Sequence, residues 1–474
     1  MRGWTNLLVA LGMFLIPRLI AAWTTPINIS NTEMKSTAPA ITIRKYDSIH
    51  VVWTDFHTDP WTPGEVLYRY SDGDIWFDTI NTSSDSTSSQ DPRIAIDTLG
   101  YPHVIWEDWG MMGGPARVYY SFFTGDSFAT SLCLTDSLQP GAFTRLGDIA
   151  IDSVNRIHIV WSAETESVFE VYYVRGKDGS WSLPENISNN PRGNSSMPRM
   201  AMDSGSNLHV LWEEEETDTS YYREIYYARF DGDSWTTPLN ISDLPDYSSN
   251  QQIAVGPEGY PHVVWDEGYH IYYSFDNGDG WSSPFPVSDT LTGEKGYSPD
   301  IVVDLNSHPH IIWGGEGPEL WYTYYDGASW ITPIDVSGSL ANSGGPDITV
   351  DNSNCLHLVW WEEFEIYYSG HRLTNVEEEN RGATKEEVLP RPNPFGVSTR
   401  ISYTLLKDSR VRLQISDISG RILIDLDLGY RPKGNHSLFI PAEFIEKGGA
   451  SGIYFCTIEA YGEVIARGKL VLLR

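Results

Sequence analysis

Apolar and polar residues alternate in short runs through most of the chain, separated by clusters of Gly, Asn, Asp, Ser and Pro. That pattern predicts half-buried antiparallel strands joined by tight turns. One run recurs. It begins as His50-Val51-Val52-Trp53 and returns at 103–106, 158–161, 209–212, 262–265, 310–313 and 357–360. Successive histidines lie 53, 55, 51, 53, 48 and 47 residues apart, a period typical of propellers and other repeat arrays.

Each unit reads as four strands. A short alternating strand such as Ile94-Ala95-Ile96-Asp97 precedes the His-Trp strand. A Tyr-rich strand such as Val171-Tyr172-Tyr173 follows it, and an Asp/Gly turn leads to a fourth strand opened by Trp76, Trp181, Trp235, Trp281 or Trp330, or by Phe128. The seventh unit lacks its fourth strand, because the chain turns polar and acidic after His371. Trp23-Thr24-Thr25-Pro26-Ile27-Asn28-Ile29-Ser30 matches Trp235-Thr236-Thr237-Pro238-Leu239-Asn240-Ile241-Ser242 almost residue for residue. The expected fold is therefore all-β: a seven-bladed β-propeller over residues 23–372, its ring closed by the N-terminal strand, which covers an otherwise open edge.

The ends of the chain read differently. Residues 1–22 carry Arg2, an apolar run from Leu7 to Ile16 and the small pair Ala21-Ala22, the layout of a cleaved signal peptide. No other segment is apolar enough to predict a transmembrane span. Residues 373–388 form a polar linker containing Glu377-Glu378-Glu379. Residues 389–474 then alternate as a small Ig-like β-sandwich. Their Asn393-Pro394-Phe395 opening, the Asp417-Ile418-Ser419-Gly420-Arg421 turn, the Ser451-Gly452-Ile453-Tyr454-Phe455 strand and the basic-aliphatic end resemble the C-terminal sorting domain of type nine secretion substrates. The resemblance implies contact with outer-membrane secretion machinery and a destination outside a Gram-negative-type cell, secreted or at the surface.

Charge divides along the same boundary. Residues 23–384 hold 17 Lys+Arg against 54 Asp+Glu, a net of −37, whereas residues 385–474 hold 13 against 10. So acidic a surface argues against nucleic acid and anionic lipid, and favours neutral or cationic partners or a divalent cation such as calcium. Cys133, Cys355 and Cys456 are too sparse to predict a disulfide framework or a zinc site.

The seven histidines are expected to be structural, each following a turn begun by an Asp (Asp97, Asp152, Asp203, Asp304 or Asp351 in five units) and hydrogen-bonded to it across the two inner strands. The turn Ser274-Phe275-Asp276-Asn277-Gly278-Asp279-Gly280-Trp281 resembles the Asp-box of sialidase-like propellers. In that family the box is a blade-stabilising turn. The Arg-Ile-Pro start and Tyr-Glu nucleophile pair of sialidases are not identifiable, nor are a Gly-x-Ser-x-Gly elbow or a His-Glu-x-x-His zinc motif, so no catalytic residue, metal ligand or cofactor is assigned. The candidate ligand-binding residues instead ring the mouth of the central channel. Arg93, Asp148, Arg199, Asp300 and Asp347 start inner strands, with Arg145 just upstream of Asp148. Asp55, Glu107, Glu213, Asp266, Glu316 and Glu362 end the His-Trp strands. Arg93, Arg145 and Arg199 are expected to clamp a carboxylate. Two functions follow from this surface. One is a secreted or cell-surface module that binds an extracellular glycan or protein. The other is a sialidase-like glycoside hydrolase or polysaccharide lyase working at the channel mouth.

Overall fold

The structure is a computed structural model that describes residues 23–32, 34–43, 48–56, 63–73, 75–84, 87–110, 115–138, 143–165, 168–215, 222–244, 246–288 and 295–373, followed by 386–387, 398–405, 409–417, 421–431, 434–441, 452–460 and 463–472. The expected signal peptide, most of the expected linker and the Asn-Pro-Phe turn lie outside the described residues. The chain divides into two compact units, 1–373 and 374–474.

Among the described residues, the first unit holds seven antiparallel sheets of four strands, one with an added short outer strand. Their first strands are Lys35–Ile43, Ser89–Ile96, Thr144–Ile151, Ser195–Met202, Ser248–Val255, Gly296–Val303 and Ser343–Val350. Each first strand packs against the next, and the last packs against Lys35–Ile43, so the sheets form a closed cycle around a central channel. The seventh sheet takes its outer strand from the other end of the chain. Ile27 and Asn28 pair with Tyr368 and Tyr367 as Leu239 and Asn240 pair with Tyr227 and Tyr226. The outer strands are shorter than expected: Trp76, Trp235, Trp281 and Trp330 make single bridges, and the ladder resumes only for two residues such as Ile80–Asn81. In five units a proline, which has no N–H to donate, lies in this gap three residues after the tryptophan, and the same gap follows Trp76 and Phe128, where no proline is present.

The second strands are buried almost throughout, and Trp53, Trp106, Trp161, Trp212, Trp265 and Trp360 are fully enclosed. The expected Asp–His bond is not the main partner of the repeated histidine. Each His Nδ1 instead meets a tyrosine hydroxyl on the third strand, as in His50–Tyr68 at 2.7 Å, His209–Tyr227 at 2.8 Å and His262–Tyr273 at 2.6 Å. The aspartates stand at 3.4–3.8 Å from Nε2. Their other oxygen is held by turn amides, as when Asp152 accepts from Val154 and Arg156 N–H. The same tyrosines meet the fourth-strand aromatic of the next sheet edge-on: Tyr173–Trp235 at 5.1 Å, Tyr227–Trp281 at 5.0 Å and, across the closure, Tyr322–Trp23 at 5.4 Å and Tyr368–Trp76 at 5.2 Å. Such edge-to-face pairs add to the energy of area burial.

In the second unit, the strands Glu386–Glu387, Glu463–Leu472, Gly452–Ala460, Ser409–Asp417 and Ile422–Arg431 form one sheet, and Ser398–Leu405 with Gly434–Pro441 forms another. Ile401, Tyr403 and Ile440 from the smaller sheet share a core with Leu413, Ile415, Cys456 and Leu470 from the larger. Glu386 and Glu387, expected in the linker, pair in parallel with Ala466 and Arg467 and so cover that edge of the sheet.

Two outcomes test this scaffold. Ser30 Oγ accepts the buried Ile366 N–H at 2.8 Å and donates to Glu365. Ser30→Ala is expected to cost about 1–3 kcal/mol by denaturant titration, the penalty of an unsatisfied buried N–H. Burial pushes His209 and His262 down to about 4 and lowers His103, His158 and His310. These folded values lie below the ordinary 6.5, so the stability carried by the neutral rings is intact above that pH and is lost as pH falls toward 4. The stability advantage of the native chain over His262→Gln should shrink across that window, measured by urea unfolding at each pH.

Candidate functional site

Every first strand except Thr144–Ile151 enters the channel through the same device. A residue with positive φ breaks the register, and the position two later faces the channel. The positive-φ residues are Ala38, Asp91, Met197, Asn250, Ser298 and Gly345, with φ between 47° and 54°. In five of these six a proline follows (Pro39, Pro92, Pro198, Pro299 and Pro346), tolerated because a bulge demands no ladder donor. Thr144–Ile151 shifts register at Gly147 instead. The bulge thereby sets seven residues at one register: Ala40, Arg93, Asp148, Arg199, Gln252, Asp300 and Asp347, opposite Val52, Ile105, Val160, Leu211, Val264, Ile312 and Val359.

This layer holds three carboxylates and two guanidinia close enough to influence one another. Asp148 is raised by burial, against the pull of Arg199 and Arg93. Burial pushes Asp300 up to about 7, and it raises Asp347 well above the carboxylate range with the help of the Asp300 charge. Arg199 is pushed down to about 10 by burial and then by Arg93. Arg93 and Arg199 donate back to the carbonyls of Pro92 and Pro198, at 2.9 and 3.0 Å. The aspartates also join neighbouring sheets: Asp148 Oδ2 accepts Met200 N–H at 3.0 Å, Asp300 Oδ2 accepts Ile348 N–H at 2.7 Å, and Asp347 accepts from the Ile41 backbone.

The remaining candidates divide by position. Asp55 and Glu362, two residues after the buried tryptophan, accept from serines at the start of the first strand: Ser36 at 3.3 Å and Ser343 at 3.2 Å. Asp108, Glu214 and Glu267 do the same with Ser89, Ser195 and Ser248. One residue after the tryptophan, Glu213 and Asp266 accept the N–H of the bulge residues Asn250 and Ser298 in the next sheet, both at 3.2 Å. Glu213 also pairs with Arg223 at 2.7 Å. Glu107 accepts from Trp109 Nε1 at 3.1 Å. Glu316 is exposed and pairs with Lys295 at 2.7 Å. Arg145 does not join Arg93 and Arg199. It lies exposed with its guanidinium 5.4 Å from the Phe169 ring, because its register position precedes the bulge that turns Asp148 into the channel. The expected three-arginine clamp is not assembled. Among the described residues, no group of His, Cys, Asp or Glu is arranged to hold a metal ion.

The recurring proline two residues before an Ile or Met of the alternating strand was the sequence signal for this layer, and the serine that opens most first strands was the signal for the carboxylate staples. Neither reads as chemistry until the bulge and its cross-sheet bonds are seen.

Neither a protein-family model nor a curated protein matches the sequence. Solved structures do match. An ulvan lyase from a new polysaccharide lyase family, bound to a glucuronate–rhamnose sulfate disaccharide, is 12% identical, with 76% of this chain and 97% of that one covered at a TM-score of 0.52. A fungal alcohol oxidase in complex with copper is 10% identical, covering 96% and 100% at 0.51. A protein of unknown function from Dyadobacter fermentans is 12% identical, covering 75% and 100% at 0.50. Sialidases overlap less, among them an intramolecular trans-sialidase from Ruminococcus gnavus at 0.41. Identities this low establish a fold of the β-propeller kind and carry no activity with them.

The channel layer predicts its own pH response. Asp300 has a folded value raised above 3.8, so its contribution is favourable at acid pH and is lost as pH rises through about 7. Asp300→Asn keeps an acceptor for Ile348 N–H and removes the charge. It should stabilise the chain by on the order of 1 kcal/mol or more at pH 8, a gain that vanishes toward pH 4 in chemical denaturation.

Proposed function

We propose that this chain is an exported seven-bladed β-propeller that binds an extracellular glycan on the channel-mouth face without turning it over. The observation that carries the reading is the employment of the mouth carboxylates. Asp148, Asp300 and Asp347 accept amides of the next sheet, and Asp55, Glu213, Asp266 and Glu362 are likewise held by hydrogen bonds within and between sheets. With Arg145 outside the layer, the arginine set expected of a carboxylate-processing site is incomplete. The net charge of −37 over residues 23–384 supports a neutral rather than a polyanionic ligand.

Local hydrogen bonds in the Asp/Gly turns support a scaffold role for them. Asp231 Oδ1 accepts the N–H groups of Asp233 and Ser234 at 3.0 and 2.9 Å, and Asp276 Oδ1 accepts that of Gly278 at 2.8 Å. We read them as Asp-box-type scaffold elements. Residues 389–474 serve, in this proposal, as an Ig-like sorting domain for type nine export, and residues 1–22 as the signal peptide; the motifs quoted from the sequence support both.

A hydrolase or lyase reading has one observation in its favour, the near-neutral Asp300 beside Arg93 and Arg199, since acid–base catalysis needs a group poised near the working pH. Polysaccharides incubated with the mature chain and with Arg199→Gln separate the two. The binding reading expects complex formation and no new reducing or unsaturated ends. Product formation that is lost in Arg199→Gln would replace it with the enzyme.

A further inference from the structure

Among the described residues, two borders between sheets carry the same unusual construction at the channel-mouth end. The hairpin joining Pro261–Glu267 to His270–Phe275 turns on Gly268 and Tyr269, with φ of 56° and 71°. The hairpin joining Cys355–Glu362 to Glu365–Arg372 turns on Glu363 and Phe364, with φ of 49° and 66°. Two-residue turns of this hand favour Asn, Asp and Gly, whereas a bulky side chain in the left-handed region is strained. An aromatic at the second position therefore opposes local preference at both sites. Neither ring is recovered by the core: Tyr269 is 56% exposed and Phe364 46%.

The surroundings repeat as well. The Tyr269 carbonyl accepts Gly296 N–H at 2.9 Å, and the Phe364 carbonyl accepts Ser36 N–H at 2.7 Å, so each tip clasps the start of the next sheet's first strand. The residue before that amide is a lysine in both cases. Lys295 Nζ lies 4.9 Å from the Tyr269 ring centroid and Lys35 Nζ 4.9 Å from that of Phe364. A second aromatic flanks each: Tyr297 at 5.7 Å and 78° to Tyr269, and Trp361 at 6.5 Å and 14° to Phe364. The two sheets between these borders are the ones that contribute Asp300 and Asp347. One of them has Gly314 and Gly315 where five other sheets carry mouth carboxylates.

We infer that Tyr269 with Lys295 and Phe364 with Lys35 are two sugar-stacking stations for one neutral polysaccharide chain. This rests on the glycan-binding reading and adds to it the place and the ligand class. Strain retained at exposed rings points to function. A pyranose offers a flat C–H face to such a ring and hydroxyls around its edge, for which each lysine ammonium is a donor and, at the Tyr269 station, the Glu316 carboxylate beside Lys295 an acceptor. Each station is the size of one or two rings, unlike the continuous apolar patch of a protein interface. The acidic unit as a whole repels a polyanionic chain.

The test uses Tyr269→Asn, Phe364→Asn and the double variant of the mature chain, because Asn suits the left-handed turn and leaves the clasping carbonyl in place. Affinity electrophoresis against xylan, mixed-linkage β-glucan, galactomannan and polygalacturonate reads binding, and thermal unfolding reads the fold. A neutral polymer should bind the native chain, each single variant should weaken it about tenfold and the double variant about a hundredfold, while the melting temperature holds or rises. Native binding to a neutral polymer that survives the double variant would overturn the stations and leave the glycan reading standing. Binding to polygalacturonate alone would overturn the ligand class. If no polymer binds the native chain, both the stations and the glycan reading fail.

Discussion

The architecture of the first unit depends on a buried histidine ring held neutral between two strands. Its Nδ1 meets a tyrosine hydroxyl of the third strand, and that tyrosine meets an aromatic of the next sheet edge-on, as in His209–Tyr227–Trp281. The chain of contacts couples strand pairing within a sheet to packing between sheets. It is polar enough to fix one geometry, because a misplaced ring would leave a buried donor unmet, and apolar enough to build a core. The closure obeys the same rule: Trp23 stands against Tyr322 as Trp235 stands against Tyr173. A strand separated from its sheet by more than three hundred residues is thereby recruited with the contacts of any other outer strand.

Around the channel the scaffold and the candidate site are made of the same groups. The bulge that turns Arg93, Arg199, Asp300 and Asp347 inward also presents an amide to the neighbouring sheet, as Asn250 N–H does to Glu213. Carboxylates that looked available for chemistry in the sequence are in this way committed to holding sheets together. The cost is electrostatic. Burying three aspartates beside two arginines leaves Asp300 and Asp347 unable to ionise freely, and the channel layer opposes the histidines in its response to pH. Acid favours the channel layer and disfavours the imidazoles. At the outer rim the backbones of Tyr269 and Phe364 clasp the next sheet while their rings stay exposed in strained turns, and it is on those rings that ligand contact is concentrated in our proposal.

The sequence by itself determined the strand content, the period and the source of the closing strand, since strand alternation, the His-x-x-Trp repeat and the match of Trp23–Ser30 to Trp235–Ser242 are all local signals. It also determined that Arg93, Asp148, Arg199, Asp300 and Asp347 belong to equivalent places in their repeats. The tertiary structure decided what those places do. Whether His209 leans chiefly on Asp203 or on Tyr227 depends on the third strand, which brings the tyrosine hydroxyl to 2.8 Å while the aspartate stands at 3.8 Å. Whether Arg145 joins Arg93 depends on one register shift at Gly147. Whether Glu213 is a ligand or a staple depends on an amide from another sheet. Periodicity encodes which residues are alike along the chain. Bulges, register shifts and the contacts between sheets set which of them meet, and those are properties of the closed ring that no single repeat contains.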